Sequence, residues 1–210
     1  MTKLKKIITR SFLIFLILIP IAAFAHFLIF PQETRSILID YSCFKKEGRI
    51  YFNAATPQVK FDSLKLLIEK ASIRVVNFWG QKTCDPKFIY CDKEDDLKKY
   101  SVNPSAPAVT YTKLGAVIVL SADAIDLDII AHEISHAEFY NRIGFYAFMF
   151  KIPSWFKHGL AMQNDDRDYY SDDTLKIRSD NFKNMPDIKS LKTDKQFYAG
   201  SHEQVMLNYM

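Results

Sequence analysis

His132 and His136 stand four positions apart with Glu133 beside the first of them, in the segment His132-Glu133-Ile134-Ser135-His136. On a helix, residues at i and i+4 lie one above the other, so two imidazoles can offer nitrogens to a single divalent cation. Glu133 is displaced by one residue, about 100° around the helix. That offset suits a carboxylate standing beside the metal rather than on it, free to take a proton from water. Zinc is the cation expected: it binds imidazole well and lowers the pKa of bound water to about 7, which makes a nucleophile available at neutral pH. The chain has only five histidines, so an accidental match to this spacing is uncommon. Ile129, Ile130, Ile134 and Ala137 interleave with the motif and place its helix within a core rather than on a solvated surface.

A zinc ion that does chemistry takes three protein ligands and keeps a fourth position open. His158, 22 residues beyond His136, is the expected third ligand. It belongs to a second helical stretch that opens after Pro153. Metal-bound histidines also need an outer partner to fix the ring. Asp128, one turn before His132, is the first choice for that role and Glu138 the second.

The stretch Pro153-Ser154-Trp155-Phe156-Lys157-His158-Gly159-Leu160-Ala161, coming after the His-Glu-x-x-His segment, resembles the gluzincin metallopeptidases, in particular the small thermolysin-like and aminopeptidase-like domains. There the motif helix is followed by a proline-tryptophan stretch ending in Glu-Gly-x-Ala. The resemblance spans residues 115–163. It implies an α+β zincin-like domain in which a small mixed sheet packs on the motif helix and a second ligand-bearing helix. It also implies Zn2+ on His132, His136 and the residue at 158, Glu133 as general base, and a peptide or protein substrate. The family's third ligand is a glutamate. This sequence departs from it with His158, which keeps the ligand count and removes one negative charge from around the ion. The resemblance further implies a downstream tyrosine or histidine that steadies the oxyanion. Tyr198 is the first candidate and His202 the second. The leading expectation is zinc-dependent peptide-bond hydrolysis, and the alternative is a catalytically inactive zinc-binding interaction module tethered to a membrane.

Elements must hold these residues in place. Short β-rich runs at 36–39 and 49–53, broken by Lys46-Glu47-Gly48, predict a hairpin or two neighbouring strands. Asp62 is placed to cap a helix in which Leu64, Leu67, Ile68 and Ala71 recur at helical spacing. The β-branched and aromatic run 73–79 predicts a strand ending at Gly80, and the charged, then proline-bearing stretch 92–107 a surface loop. The apolar run 115–120 predicts a strand whose edge can pair with an extended substrate, or else a buried core strand. Ser121-Ala122-Asp123 can cap the motif helix, predicted over 123–142 with Gly144 placed to stop it. A second helix is predicted over 154–164. A third is predicted over 201–210, with Ser201 and Gln204 at capping-box spacing. The aromatics Tyr140, Phe145, Tyr146, Phe148 and Phe150 fit packing between the two ligand-bearing helices, a pocket wall or a bilayer contact.

The formal charge of +4 points to no acidic partner. Lys3, Lys5, Lys6 and Arg10 account for that whole excess, so the remainder gives no nucleic-acid signal. Those cations precede residues 11–30, a run without Asp, Glu, Lys or Arg that matches the length of a membrane-crossing helix. A cleaved signal peptide is the competing reading, since Ala23-Phe24-Ala25 resembles a cleavage site. The expected layout is a cytoplasmic basic segment (1–10), a single transmembrane anchor (11–30) and a metallopeptidase-like domain (31–210). The positive flank leaves the N-terminus in the cytoplasm and puts the domain on the periplasmic or extracellular side. In such a compartment Cys84 and Cys91 can pair around Asp85-Pro86, leaving Cys43 free, or all three can stay thiols.

Overall fold

The computed structural model describes residues 3–167 together with Ser201, His202 and Val205. One mixed sheet contains β1 (Lys45–Glu47), β2 (Ile50–Phe52), β3 (Lys87–Cys91), β4 (Ala108–Tyr111) and β5 (Val117–Ser121), in the order β1-β2-β3-β5-β4. Strands β2, β3 and β5 are parallel, and the two edge strands β1 and β4 are antiparallel to their neighbours. The class is α+β, as the sequence predicts.

Both faces of this sheet are covered, which is why β5 reads as an unbroken apolar run. Ile118 and Leu120 point into a core shared with α3 (Gln58–Trp79) and α5 (Leu127–Phe150). Val117 and Val119 point to the other side, against Tyr100 and Leu97 of α4 (Glu94–Tyr100) and against Ile39. The predicted strand at 115–120 is therefore present but interior to the sheet, and among the described residues the sheet edge beside the motif helix is β4. The run at 49–53 does supply a hairpin strand, Ile50–Phe52, but its partner is Lys45–Glu47, inside the predicted break and not at 36–39, and the two turn at Gly48 with a φ of 59°.

Four sequence expectations fail. Residues 36–39 are helical rather than extended: α2 (Pro31–Ile37) opens on Pro31 and is followed by a short 3-10 turn, Ile39–Tyr41. Proline presets the first helical φ, and burial of Ser36 and Ile39 three residues apart suits a helix. Residues 73–79 continue α3 instead of forming a strand, and Asp62 lies inside that helix, whose N-cap is Pro57. The buried stripe Phe61, Leu64, Ile68, Ala71, Val75 keeps one helical phase throughout, and that continuity outweighs the β-preference of single residues. The loop predicted over 92–107 contains α4, whose first turn holds Glu94, Asp95 and Asp96 and whose last holds Lys98 and Lys99. That distribution complements the helix dipole.

All three cysteines are thiols. Cys84 and Cys91 do not bridge: Cys91 ends β3 while Cys84 precedes its first residue, and the strand's five extended residues rise about 13 Å, against roughly 4.4–6.8 Å between bridged Cα atoms. Burial pushes the Cys84 thiol up to about 11 and also raises that of Cys91.

Preceding the sheet is α1 (Lys3–Ile29). Its Arg10–Ile29 stretch has a mean hydropathy of 2.8 and none of its residues is buried by the rest of the chain. It is long and apolar enough to cross a membrane, a property that a signal sequence shares.

Candidate metal centre

The motif helix starts one turn later than predicted. Ser121 caps a 3-10 turn (Ala122–Ala124) by accepting from the Asp123 amide, and Asp126 caps α5, its carboxylate accepting from the amides of Asp128 (2.8 Å) and Ile129 (3.1 Å). From that start, Ile130, Ile134 and Ala137 face the core, which aims His132 and His136 the other way. Gly144, with a φ of 76° and a ψ of 168°, is non-helical, so the motif helix stops there as predicted and a second helical stretch follows it within α5. The chain then returns through α6 (Ser154–Ala161), which packs on α5 and carries His158.

Three imidazoles meet as a result. Nε2 of His132 and Nε2 of His136 are 3.2 Å apart. Tetrahedral ligands at about 2.0–2.1 Å from zinc stand roughly 3.4 Å apart, so this pair already has the separation one ion requires. The ligand nitrogens of all three residues lie within 4.8 Å of one another. The rings of His136 and His158 are 4.9 Å apart and nearly perpendicular, at 87°. The donor set is wholly nitrogenous and buried, which suits a borderline cation and not a hard one. This group can bind a metal ion.

Burial also prepares the donors. Desolvation, joined by the charges of neighbouring His158 and Arg167, lowers His132 to about 3. Desolvation and then the adjacent Lys157 lower His158 to about 4, and His136 lies well below its usual value for the same first reason. All three rings are thus held neutral, the form that binds a metal.

Glu133 faces β4. Thr110 donates its hydroxyl to Oε2 of Glu133. Burial pushes this carboxyl up to about 7, against the opposing pull of that hydrogen bond. A cavity of about 370 Å³ opens at the site, and Thr110, His132, Glu133, His136, Lys157 and His158 all line it. Lys157 donates to the Phe148 carbonyl at 3.0 Å and sits 4.5 Å over the Phe148 ring.

The expected outer partners are elsewhere. Asp128 pairs with Arg74 of α3 and accepts from the Asp166 amide at 3.1 Å, so it ties α3, α5 and the chain beyond α6 together. Glu138 accepts from the amides of Thr83 (3.0 Å) and Cys84 (2.9 Å) and from the Thr83 hydroxyl (2.6 Å), so it anchors the loop before β3. The acid beside the three imidazoles is Asp165. It is buried, it pairs with Arg167, and its Oδ2 is 3.8 Å from Nδ1 of His132. Sequence reasoning missed it, although the run Asn164-Asp165-Asp166 just after the second helix was a signal.

Tyr198 and Gln204 lie outside the described residues. His202 is buried on a helical segment with Ser201 and Val205 that presses on α6 and stands outside the three-imidazole group. Of the aromatics, Phe148 does line the cavity and pack on Phe139 and Tyr140, whereas Phe145, Tyr146 and Phe150 are exposed.

Compared with protein-family models, curated proteins and solved structures, the chain matches none.

Proposed function

We propose that the chain is a zinc-dependent peptide-bond hydrolase of gluzincin-like design, with His132, His136 and His158 as ligands and Glu133 as general base. The observation that carries the reading is the convergence of three neutral imidazoles with a carboxyl beside them whose pKa is about 7. When bound there, zinc would act as a Lewis acid toward water and a peptide carbonyl. Thr110 occupies Oε2 of Glu133 and leaves Oε1 to take a proton from water and return it to the departing amine. A pKa close to the working pH suits both transfers. Strand β4 is a sheet edge, and Ala108, Val109 and Thr110 border the cavity. An extended peptide can pair with that edge and lie across the site. The proposal places α1 across a membrane, the basic N-terminus in the cytoplasm and the catalytic domain on the far side.

The test uses the full chain purified in detergent. The wild type should carry close to one zinc per chain and cleave a denatured protein. Glu133→Gln should keep the zinc and lose at least about a hundredfold in rate. Equal cleavage by the Gln variant removes Glu133 from the mechanism. Zinc binding without cleavage by either form makes the chain a non-catalytic metal module.

A further inference from the structure

Just past the Gly144 break, the chain exposes a compact apolar cluster. Phe145 is 48% exposed, Tyr146 64% and Phe150 66%. The Phe145 and Phe150 rings are 6.1 Å apart, those of Tyr146 and Phe150 are 5.6 Å apart, and Lys151 lies 5.6 Å over Tyr146. Met149 is exposed beside them. Their own helix does not bury them. Phe148, by contrast, turns inward onto Phe139 and Tyr140 and fixes the segment to the body of the domain. Such a patch, aromatic and apolar with a lysine at its margin, has the composition of a surface that sits at the level of lipid headgroups.

Topology places it at the same end of the sheet as the junction after α1. Lys113, just beyond the strand end where Tyr111 pairs with Val117, bridges to Glu33 and lies 4.5 Å over Phe30. The junction after α1 is therefore at the N-terminal end of the parallel strands. Strand β5 runs away from that end and α5 runs back to it: Asn141 donates to the Thr83 carbonyl and Arg142 to that of Gln81, in the loop leading into β3. The Gly144 break and its aromatic cluster follow immediately. Phe78, near the C-terminus of α3, is exposed in the same region, against Trp79, which in turn stacks on Phe139.

We propose that residues 145–150 are a lipid-contacting foot, resting in the headgroup layer of the bilayer that α1 crosses. The proposal rests on the membrane reading of α1 and adds a second contact point. Since Phe148 and Lys157 join the foot to the cavity wall, this seat holds the metal pocket at the membrane surface, within reach of polypeptide close to the lipid.

The experiment places an environment-sensitive fluorophore on Tyr146→Cys, with Cys43→Ser removing the exposed native thiol, in the full chain inserted in phosphatidylcholine–phosphatidylglycerol nanodiscs. Val59→Cys, 77% exposed near the start of α3 at the opposite end of the sheet, is the water-facing control. The expected result is a blue-shifted emission at 146 relative to 59, with most of the 146 signal lost when the discs carry nitroxide-labelled lipid. Emission at 146 equal to that at 59 in inserted protein overturns the foot while leaving α1 as an anchor. A blue shift that nitroxide lipid does not quench assigns the patch to a protein partner and overturns it too. Failure to enter discs overturns the anchor and the foot together.

Discussion

His132, Glu133 and His136 needed nothing but a helix to come together, and the helix is set by their neighbours. Asp165 is different: its approach to His132 depends on how the chain turns through the 3-10 stretch Met162–Asn164 after α6. Asp128 stands one turn from His132 as the spacing requires, but Arg74 reaches it from α3. A matched pair of variants separates the two acids. Asp165→Asn should weaken zinc binding by about 10–100-fold, the usual cost of losing an outer partner. Asp128→Asn should leave zinc affinity unchanged and lower the melting temperature instead, because it breaks a half-buried ion pair. Competition against a chromophoric chelator and a thermal melt on each variant decide the matter, and equal zinc affinity for both would remove Asp165 from the site.

At the level of elements, Gly159 shows what a pattern of residues cannot tell. Its neighbours read as plain helix, yet a Cβ there would come within 2.1 Å of the Ser201 carbonyl oxygen and 2.7 Å of a Val205 methyl. The C-terminal segment therefore lies directly on the α6 backbone, one residue from His158. Gly159→Ala improves helix propensity by up to about 1 kcal/mol, and on an open helix it would stabilise. Here the obstacle is backbone, which cannot rotate away, so the variant should lose a net 1–3 kcal/mol or so. A fall in melting temperature of about 2–12 °C is expected for a domain of this size, and a rise would mean the contact is absent. The misread elements have a similar cause. Residues 73–79 are β-prone one by one, but their side of α3 is claimed by α5. The short strand β3 carries no alternation because both its faces are covered.

Across the whole molecule, holding three imidazoles neutral makes stability depend on pH. Without metal, the unfolded chain protonates these rings below about 6.5, while the folded chain keeps them neutral down to about 4 for His158 and about 3 for His132. Glu133, raised to about 7, works in the opposite sense, since between about 4.5 and 7 the folded state holds a proton that the unfolded state has released. Three protons against one leave the unfolded state richer by about two. The metal-free protein should therefore gain up to about 3 kcal/mol of stability per pH unit as pH rises from 5 to 6.5. Thermal melts of the chelator-treated full chain across that range test this, and a flat profile would mean that the rings are solvated. Added zinc should raise the melting temperature at pH 7, because it binds only the folded state.

Local pattern by itself determined the paired histidines and their carboxylate, the helix that carries them, the third histidine on a second helix, and a long apolar segment ahead of the domain. These follow from spacings of a few residues, which helical geometry converts directly into position. Only the tertiary structure decided which acid stands behind His132, which strand forms the edge beside the site, that Cys84 and Cys91 stay apart, and that aromatic residues beyond Gly144 face outward. Each of those depends on contacts between segments tens of residues apart, where the partner is selected by packing and not by any local preference.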